Sequence, residues 1–184
     1  SQRRRKLQSL CTIKKRLSAK LAPIVVIRGP RQIGKSTAQH QIIQDYLDSG
    51  IDPNQILHVQ FDELSEINKT SSPILRILRW YETLILEMTL NEAAQAGKPT
   101  FLFLDEVQNI DLWAPQLKHI VDHSTTQIIV TGSSALRIEK GRDSLAGRIT
   151  TIEAGVLSLT EIAQFHKIAL GGPLLWDNGL SSLI

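Results

Sequence analysis

An α/β domain is the fold class this sequence predicts, with one parallel sheet held between two layers of helices. Three observations carry that prediction. Short apolar runs rich in β-branched residues alternate along the chain with stretches of helical periodicity. The apolar runs lack polar alternation, as strands buried on both faces do. The 184 residues, 42% hydrophobic and 21% charged, amount to about one globular domain.

The elements follow in order. Pro23-Ile24-Val25-Val26-Ile27 is the first strand and gives way to Arg28-Gly29. A helix pattern runs from about Lys35 to Leu47, with Ile42, Ile43, Tyr46 and Leu47 along one side, until Asp48-Ser49-Gly50 stops it. Ile56 to Phe61 is a second strand, closed by Asp62. One long helix is expected from about Pro73 to Ala94, where Ile74, Leu78, Tyr81, Ile85 and Met88 form a continuous stripe. Gly97-Lys98-Pro99 breaks it. Phe101-Leu102-Phe103-Leu104 is the third strand, and Trp113 to Asp122 the next helix, with Asp111 as its expected N-cap and Pro115 in its first turn. Ile128-Ile129-Val130 is the fourth strand and Ile149 to Glu153 the fifth, with a short helix expected from Ser133 to Lys140 between them. Leu159 to Leu170 is a last helix, and Gly171-Gly172-Pro173 ends it. Strands alternating with helices imply right-handed crossovers, and ligands of such sheets bind beyond the carboxyl ends of the strands.

Charge is unevenly placed. Eight of the 21 basic residues and none of the 18 acidic ones lie in residues 1–20, which leaves 13 against 18 and a body of about −5. Residues 1–20 therefore read as a basic N-terminal helical arm, with Leu7, Leu10, Ile13 and Leu17 at near-helical spacing. Such an arm is a solvated helix face or a contact for nucleic acid or an acidic partner. It carries no aromatic residue on which a base could stack. Composition excludes a disordered, collagenous or disulfide-scaffold chain, and no run of 18 apolar residues is present to span a membrane. The single cysteine, Cys11, cannot form an internal disulfide, and the start of the chain has no secretion-signal pattern, so a cytoplasmic location is expected.

Gly29-Pro30-Arg31-Gln32-Ile33-Gly34-Lys35-Ser36, followed by Thr37, is the strongest chemical signal. It matches G-x-x-x-x-G-K-[ST] and lies between a strand and a helix, as that motif requires. Gly29 and Gly34 are expected to let the backbone turn tightly and present successive N–H groups to an anion. The helix start at Lys35 adds unpaired N–H groups and a positive dipole end. Lys35 suits the β- and γ-phosphates of a nucleotide, and the Ser36 hydroxyl suits Mg²⁺. A second signal is Asp105-Glu106, two acids at the end of a buried strand. Neighbours on a strand point opposite ways, so Asp105 is expected to hold Mg²⁺ and Glu106 to polarise a water as general base. Thr131-Gly132-Ser133-Ser134 ends the fourth strand. If that strand lies between the first and third, its end faces the γ-phosphate, with Ser133 the first choice for the contact and Thr131 the second. Arg148, just before the fifth strand, is a candidate arginine finger on a neighbouring subunit or in cis, with Arg142 the alternative. His119 and His123 share a helix face but lack a third ligand, and Trp80, Trp113 and Trp176 read as packing or interface residues.

Taken together, Gly29 to Thr37, Phe103-Leu104-Asp105-Glu106-Val107-Gln108, Ile129 to Ser134 and Ser144-Leu145-Ala146-Gly147-Arg148 resemble the prokaryotic AAA-type P-loop ATPases whose ATPase domain is commonly followed by a C-terminal domain of uncharacterised function. The likeness covers roughly residues 20–165. It implies a three-layer αβα P-loop NTPase fold with strand order 5-1-4-3-2 across residues 21–170. It also implies Walker A at Gly29 to Ser36, Walker B at Phe101 to Glu106, a sensor at Ser133 and a finger at Arg148. Residues 171–184 then read as the truncated start of a lid or C-terminal region. The expected function is a Mg²⁺-ATP-binding ATPase module that turns binding and hydrolysis into a conformational switch, with self-association or a partner protein engaged through Arg148. ATP is favoured over GTP because no N/T-K-x-D string is present. Two alternatives stand beside it. One is a small-molecule kinase with Arg137, Lys140 and Arg142 as a basic lid. The other is a non-hydrolysing, nucleotide-controlled interaction module, with the basic arm holding DNA or a partner.

Overall fold

The computed structural model describes residues 22–133 and 145–155. Five strands form one sheet: β1 (Ile24–Gly29), β2 (Ile56–Gln60), β3 (Phe101–Asp105), β4 (Gln127–Ser133) and β5 (Ile149–Glu153). Their order is β2-β3-β4-β1-β5 and every pairing is parallel. Read from the other edge this is 5-1-4-3-2, the order the resemblance implies. β4 therefore lies between β3 and β1, the condition on which the role of Ser133 was expected to depend.

Side-chain alternation divides the core in two. Ile24, Val26, Leu102, Leu104, Ile128 and Val130 face one side and pack with Ile74, Leu78, Leu117 and Ile120. Val25, Ile27, Phe103, Ile129 and Ile152 face the other and pack with Ala38 and Ile42 of α1 (Lys35–Asp48). Burial on both faces is what the uninterrupted apolar runs required.

The remaining helices are α2 (Ser65–Asn68), α3 (Pro73–Tyr81), α4 (Leu90–Gln95) and α5 (Trp113–His123). The single long helix expected from Pro73 to Ala94 is not formed. α3 widens into a π turn at Glu82–Leu86, Glu87 takes a left-handed backbone (φ 55°), and α4 starts afresh. The π turn adds a residue, which turns Leu86 into the core and leaves Ile85 exposed. Thr89 restarts the chain with a reciprocal cap. Its hydroxyl accepts from the Glu92 N–H (3.2 Å), and the Glu92 carboxylate accepts from the Thr89 N–H (2.7 Å).

The start of α5 also differs from expectation. Leu112, in a left-handed conformation (φ 52°), holds the N-cap position instead of Asp111, although Pro115 does lie in the first turn. The buried Gln116 does the local work: its side-chain carbonyl accepts from the N–H groups of Ile74 (3.0 Å) and Leu75 (3.4 Å), which satisfies the start of α3. Ser133 closes β4 rather than opening a helix. The basic arm with Cys11, the rest of the segment expected to be helical after Ser133, Arg137, Lys140, Arg142, the last helix, Trp176 and residues 171–184 lie outside the described residues. Among the described residues no helix is long and apolar enough to cross a membrane.

Candidate functional site

The parallel sheet brings the carboxyl ends of β1, β3 and β4 to one edge, and the candidate residues gather there. The loop Pro30–Gly34 joins β1 to α1. Gly34 adopts φ 88°, ψ 23°, a left-handed conformation that glycine takes without steric cost. It occupies the N-cap of α1 and has no side chain to accept from the first-turn N–H groups, and no acidic residue sits in that turn. Gly29 is glycine for a different reason. A Cβ there would lie 2.2 Å from the Ala154 carbonyl oxygen and 2.5 Å from Ile33 Cδ1. Its role is close approach of β5 and the loop, not the tight turn expected of it. Gln32 also has positive φ (62°), so Arg31 and Gln32 sit exposed at the tip of the loop, with Pro30. Ile33 and Ser36 are half-buried, and Thr37 is exposed.

Lys35 is only 5% exposed. Its ammonium donates to the Pro30 (2.8 Å) and Gly29 (3.2 Å) carbonyls and stands 4.0 Å from Glu106 Oε1. The lysine of the glycine loop and the second acid of Asp105-Glu106 thus meet in one site.

Asp105 and Glu106 do part company, but not by strand alternation. β3 ends at Asp105, and Glu106 takes a left-handed backbone (φ 57°, ψ 44°) at the start of a 3₁₀ turn, Val107–Asn109. Asp105 is buried and accepts from the Thr131 hydroxyl. That same hydroxyl accepts from the Glu106 N–H (3.1 Å). Thr131 is therefore fully committed beneath the two acids and is not available as the phosphate contact suggested for it. Ser133 remains at the half-exposed end of β4, beside Gly29 in the strand register.

His58 of β2 stacks edge-on to His40 of α1 with ring centroids 5.0 Å apart. Burial, and then the His40 charge, hold the His58 imidazole below its ordinary value, against the opposing pull of Asp105. His119 and His123 are also adjacent, but the His123 Nδ1 lies 2.7 Å from the His119 carbonyl, within their own helix.

Arg148 does not join the site. It precedes β5, and its carbonyl accepts from the Ile24 N–H at the opposite end of β1 from the loop. Five residue steps along β1 separate the two ends, about 16 Å at ordinary strand rise. Arg148 thus stands about one strand length from the loop of its own chain. The Arg148 guanidinium pairs with Asp122 at 2.6 Å.

Two residues went unread in the sequence. Gln39 of α1 reaches under the sheet and donates to the Ile129 (3.1 Å) and Leu104 (3.4 Å) carbonyls. Gln108 donates to Glu106 Oε2 and accepts from the Ser133 N–H (3.2 Å). An amide at 39 on the apolar side of a helix was the available signal for the first. Gln108 stood inside the string Asp-Glu-Val-Gln, but no periodicity announces a 3₁₀ turn.

Comparison with known proteins bears on the family and the fold. Residues 21–163 match the family model described as AAA domain. The chain belongs to the AAA domain family. It is 32% identical over 120 residues to one uncharacterized protein of Methanocaldococcus jannaschii, covering 65% of this chain and 23% of that protein. It is 29% identical over 163 residues to a second from the same organism, covering 84% and 32% respectively. The chain thus spans a quarter to a third of the length of these relatives. Among solved structures, Cdc6p from Pyrobaculum aerophilum superposes with a TM-score of 0.61 at 12% identity, over 87% of this chain and 48% of that one. A DNA polymerase III gamma subunit-related protein from Thermotoga maritima gives 0.52 at 9%, over 81% and 46%. These likenesses show the fold. The AAA domain here is an ATPase-type nucleotide-binding module.

Proposed function

We propose that this AAA domain binds Mg²⁺-ATP and hydrolyses it to switch conformation. The observation that carries the reading is the meeting of Lys35, from a glycine loop, with Glu106, from the end of a neighbouring strand, at 4.0 Å. The loop fits a triphosphate. Its N-cap glycine leaves the first N–H groups of α1 without a capping side chain, and no carboxylate in the first turn competes for them. Gly29 lets Ala154 and the Ile33 side chain close against the end of β1 beneath the loop.

Ser36 and Asp105 supply a hydroxyl and a carboxylate, the hard oxygen donors that Mg²⁺ takes, and the Thr131 hydroxyl orients that carboxylate. When bound, Mg²⁺ neutralises phosphate charge. Lys35 would exchange its contact with Glu106 for the β- and γ-phosphates, which frees Glu106 Oε1 to accept a water proton. Water oxygen then bonds to the γ-phosphorus as the bond to the bridging oxygen breaks, ADP leaves with that electron pair, and Glu106 holds the proton. Ser133 would sense the γ-phosphate from the end of β4. Arg148 would serve a neighbouring copy. The single cysteine favours the cytoplasm as the setting.

Isothermal calorimetry and phosphate release test the reading. Lys35→Ala is expected to abolish ATP binding. Glu106→Gln is expected to bind ATP as the wild type does and to lose turnover by at least about 100-fold, the scale of a positioned general base. ATP affinity unchanged in Lys35→Ala would refute it.

A further inference from the structure

We infer that Gln108 is the positioning residue that aims the Glu106 carboxylate and ties it to the end of β4; this inference rests on the hydrolytic reading above. Both ends of the Gln108 amide are used. Its NH₂ group donates to Glu106 Oε2, and its carbonyl accepts from the Ser133 N–H at 3.2 Å. The amide orientation is fixed by these neighbours, because a carboxylate can only accept and a backbone N–H can only donate. With Oε2 held, Oε1 is the oxygen turned toward Lys35 Nζ, 4.0 Å away. Gln108 thereby selects which oxygen faces the loop.

The support for Gln108 is rigid. It stands in the 3₁₀ turn Val107–Asn109, whose flanking Val107 and Ile110 are 0% and 2% exposed in the core. Glu106 enters that turn through a left-handed backbone that carries an energetic cost for a residue with a Cβ. The Thr131 hydroxyl holds its N–H in place. Gln108 itself is only half-buried, so its amide can change partners when β4 moves. Ser133 is the residue at which a γ-phosphate contact would pull on β4. A shift of the Ser133 N–H therefore passes through one side chain to the general base. Gln108 touches neither substrate nor reacting atoms in this scheme.

Steady-state hydrolysis with three variants tests this. Gln108→Leu is expected to lower kcat by about 10- to 100-fold and to leave KM and calorimetric ATP affinity within about threefold of wild type. Gln108→Glu is the decisive variant. As a carboxylate it repels Glu106 and offers no donor. When protonated it regains a donor and keeps an acceptor for the Ser133 N–H. Its kcat relative to wild type is expected to rise as pH falls from 8 toward 5.5, while the Gln108→Leu ratio stays flat. A purely structural glutamine would instead move the denaturation midpoint with pH and leave kcat per folded protein unchanged. Should Gln108→Leu fail to bind ATP, the Gln108→Glu ratio across pH still decides the matter. Wild-type kcat in Gln108→Glu at pH 8, or a flat ratio, overturns the inference. Hydrolysis that is equally absent from wild type and Glu106→Gln would instead overturn the ATPase reading.

Discussion

Gly29 and Gly34 show how two identical residues in one motif answer different physical demands. Gly34 needs its backbone angle, and Gly29 needs the space beside Ala154. Gly29→Ala is therefore expected to do more harm than a simple loss of flexibility. The new methyl would have to displace the backbone of β5 or the loop, at a cost of about 1–3 kcal/mol. Urea denaturation should show that loss, and an ATP titration of the folded variant should show weakened binding. A Gly29→Ala protein with unchanged midpoint and affinity would mean that β5 yields freely. The glycines themselves were plain in the sequence, but the motive for Gly29 was not, because it depends on Ala154, 125 residues further along. Glu106 teaches the same lesson. Its pairing with Asp105 was readable, whereas its left-handed turn and its link to Gln108 depend on β4 and the core.

At the scale of elements, the strands were the easiest to read, since burial on both faces leaves little choice of residue. The helix between Pro73 and Ala94 was misread because its apolar stripe runs unbroken in register through a segment that the chain interrupts. The sequence did contain a stop-and-restart signal in Thr89-x-x-Glu92. Thr89→Ala is expected to destabilise the domain by about 1 kcal/mol, as lost N-caps do. The backbone N–H and then the hydroxyl of Thr89 hold the Glu92 carboxyl below its ordinary value. A depressed carboxyl binds fewer protons folded than unfolded, so its contribution is complete above the unfolded value of 4.5 and fades as pH falls through the folded one. Denaturation midpoints measured on either side of that window should differ less in Thr89→Ala than in wild type. Equal pH dependence in the two proteins would show that the Thr89 hydroxyl does not hold the Glu92 carboxyl in solution.

For the whole molecule, the parallel sheet decides which residues can cooperate. All strand ends that follow β1, β3 and β4 meet at the glycine loop, and the residue before β5 is carried to the far edge. Sequence motifs carry no such direction, which is why a finger in cis looked as available as one in trans. With Arg148 about one strand length from its own loop, a nucleotide role for it requires a second copy placed head to tail. Its pairing with the exposed Asp122 leaves the guanidinium at the surface, 39% accessible, where such a neighbour could take it over. Arg148→Ala is then expected to bind ATP normally and lose turnover. Mixing it with Glu106→Gln, also inactive alone, should restore activity. At a mixed interface the intact Glu106 of one copy meets the intact Arg148 of the other, and random assortment puts recovery at about a quarter of the wild-type rate. Phosphate release from the mixture, with sedimentation to read assembly, makes the measurement. A silent mixture of assembled copies, or full activity in Arg148→Ala alone, would remove Arg148 from the nucleotide chemistry and leave it as the surface partner of Asp122.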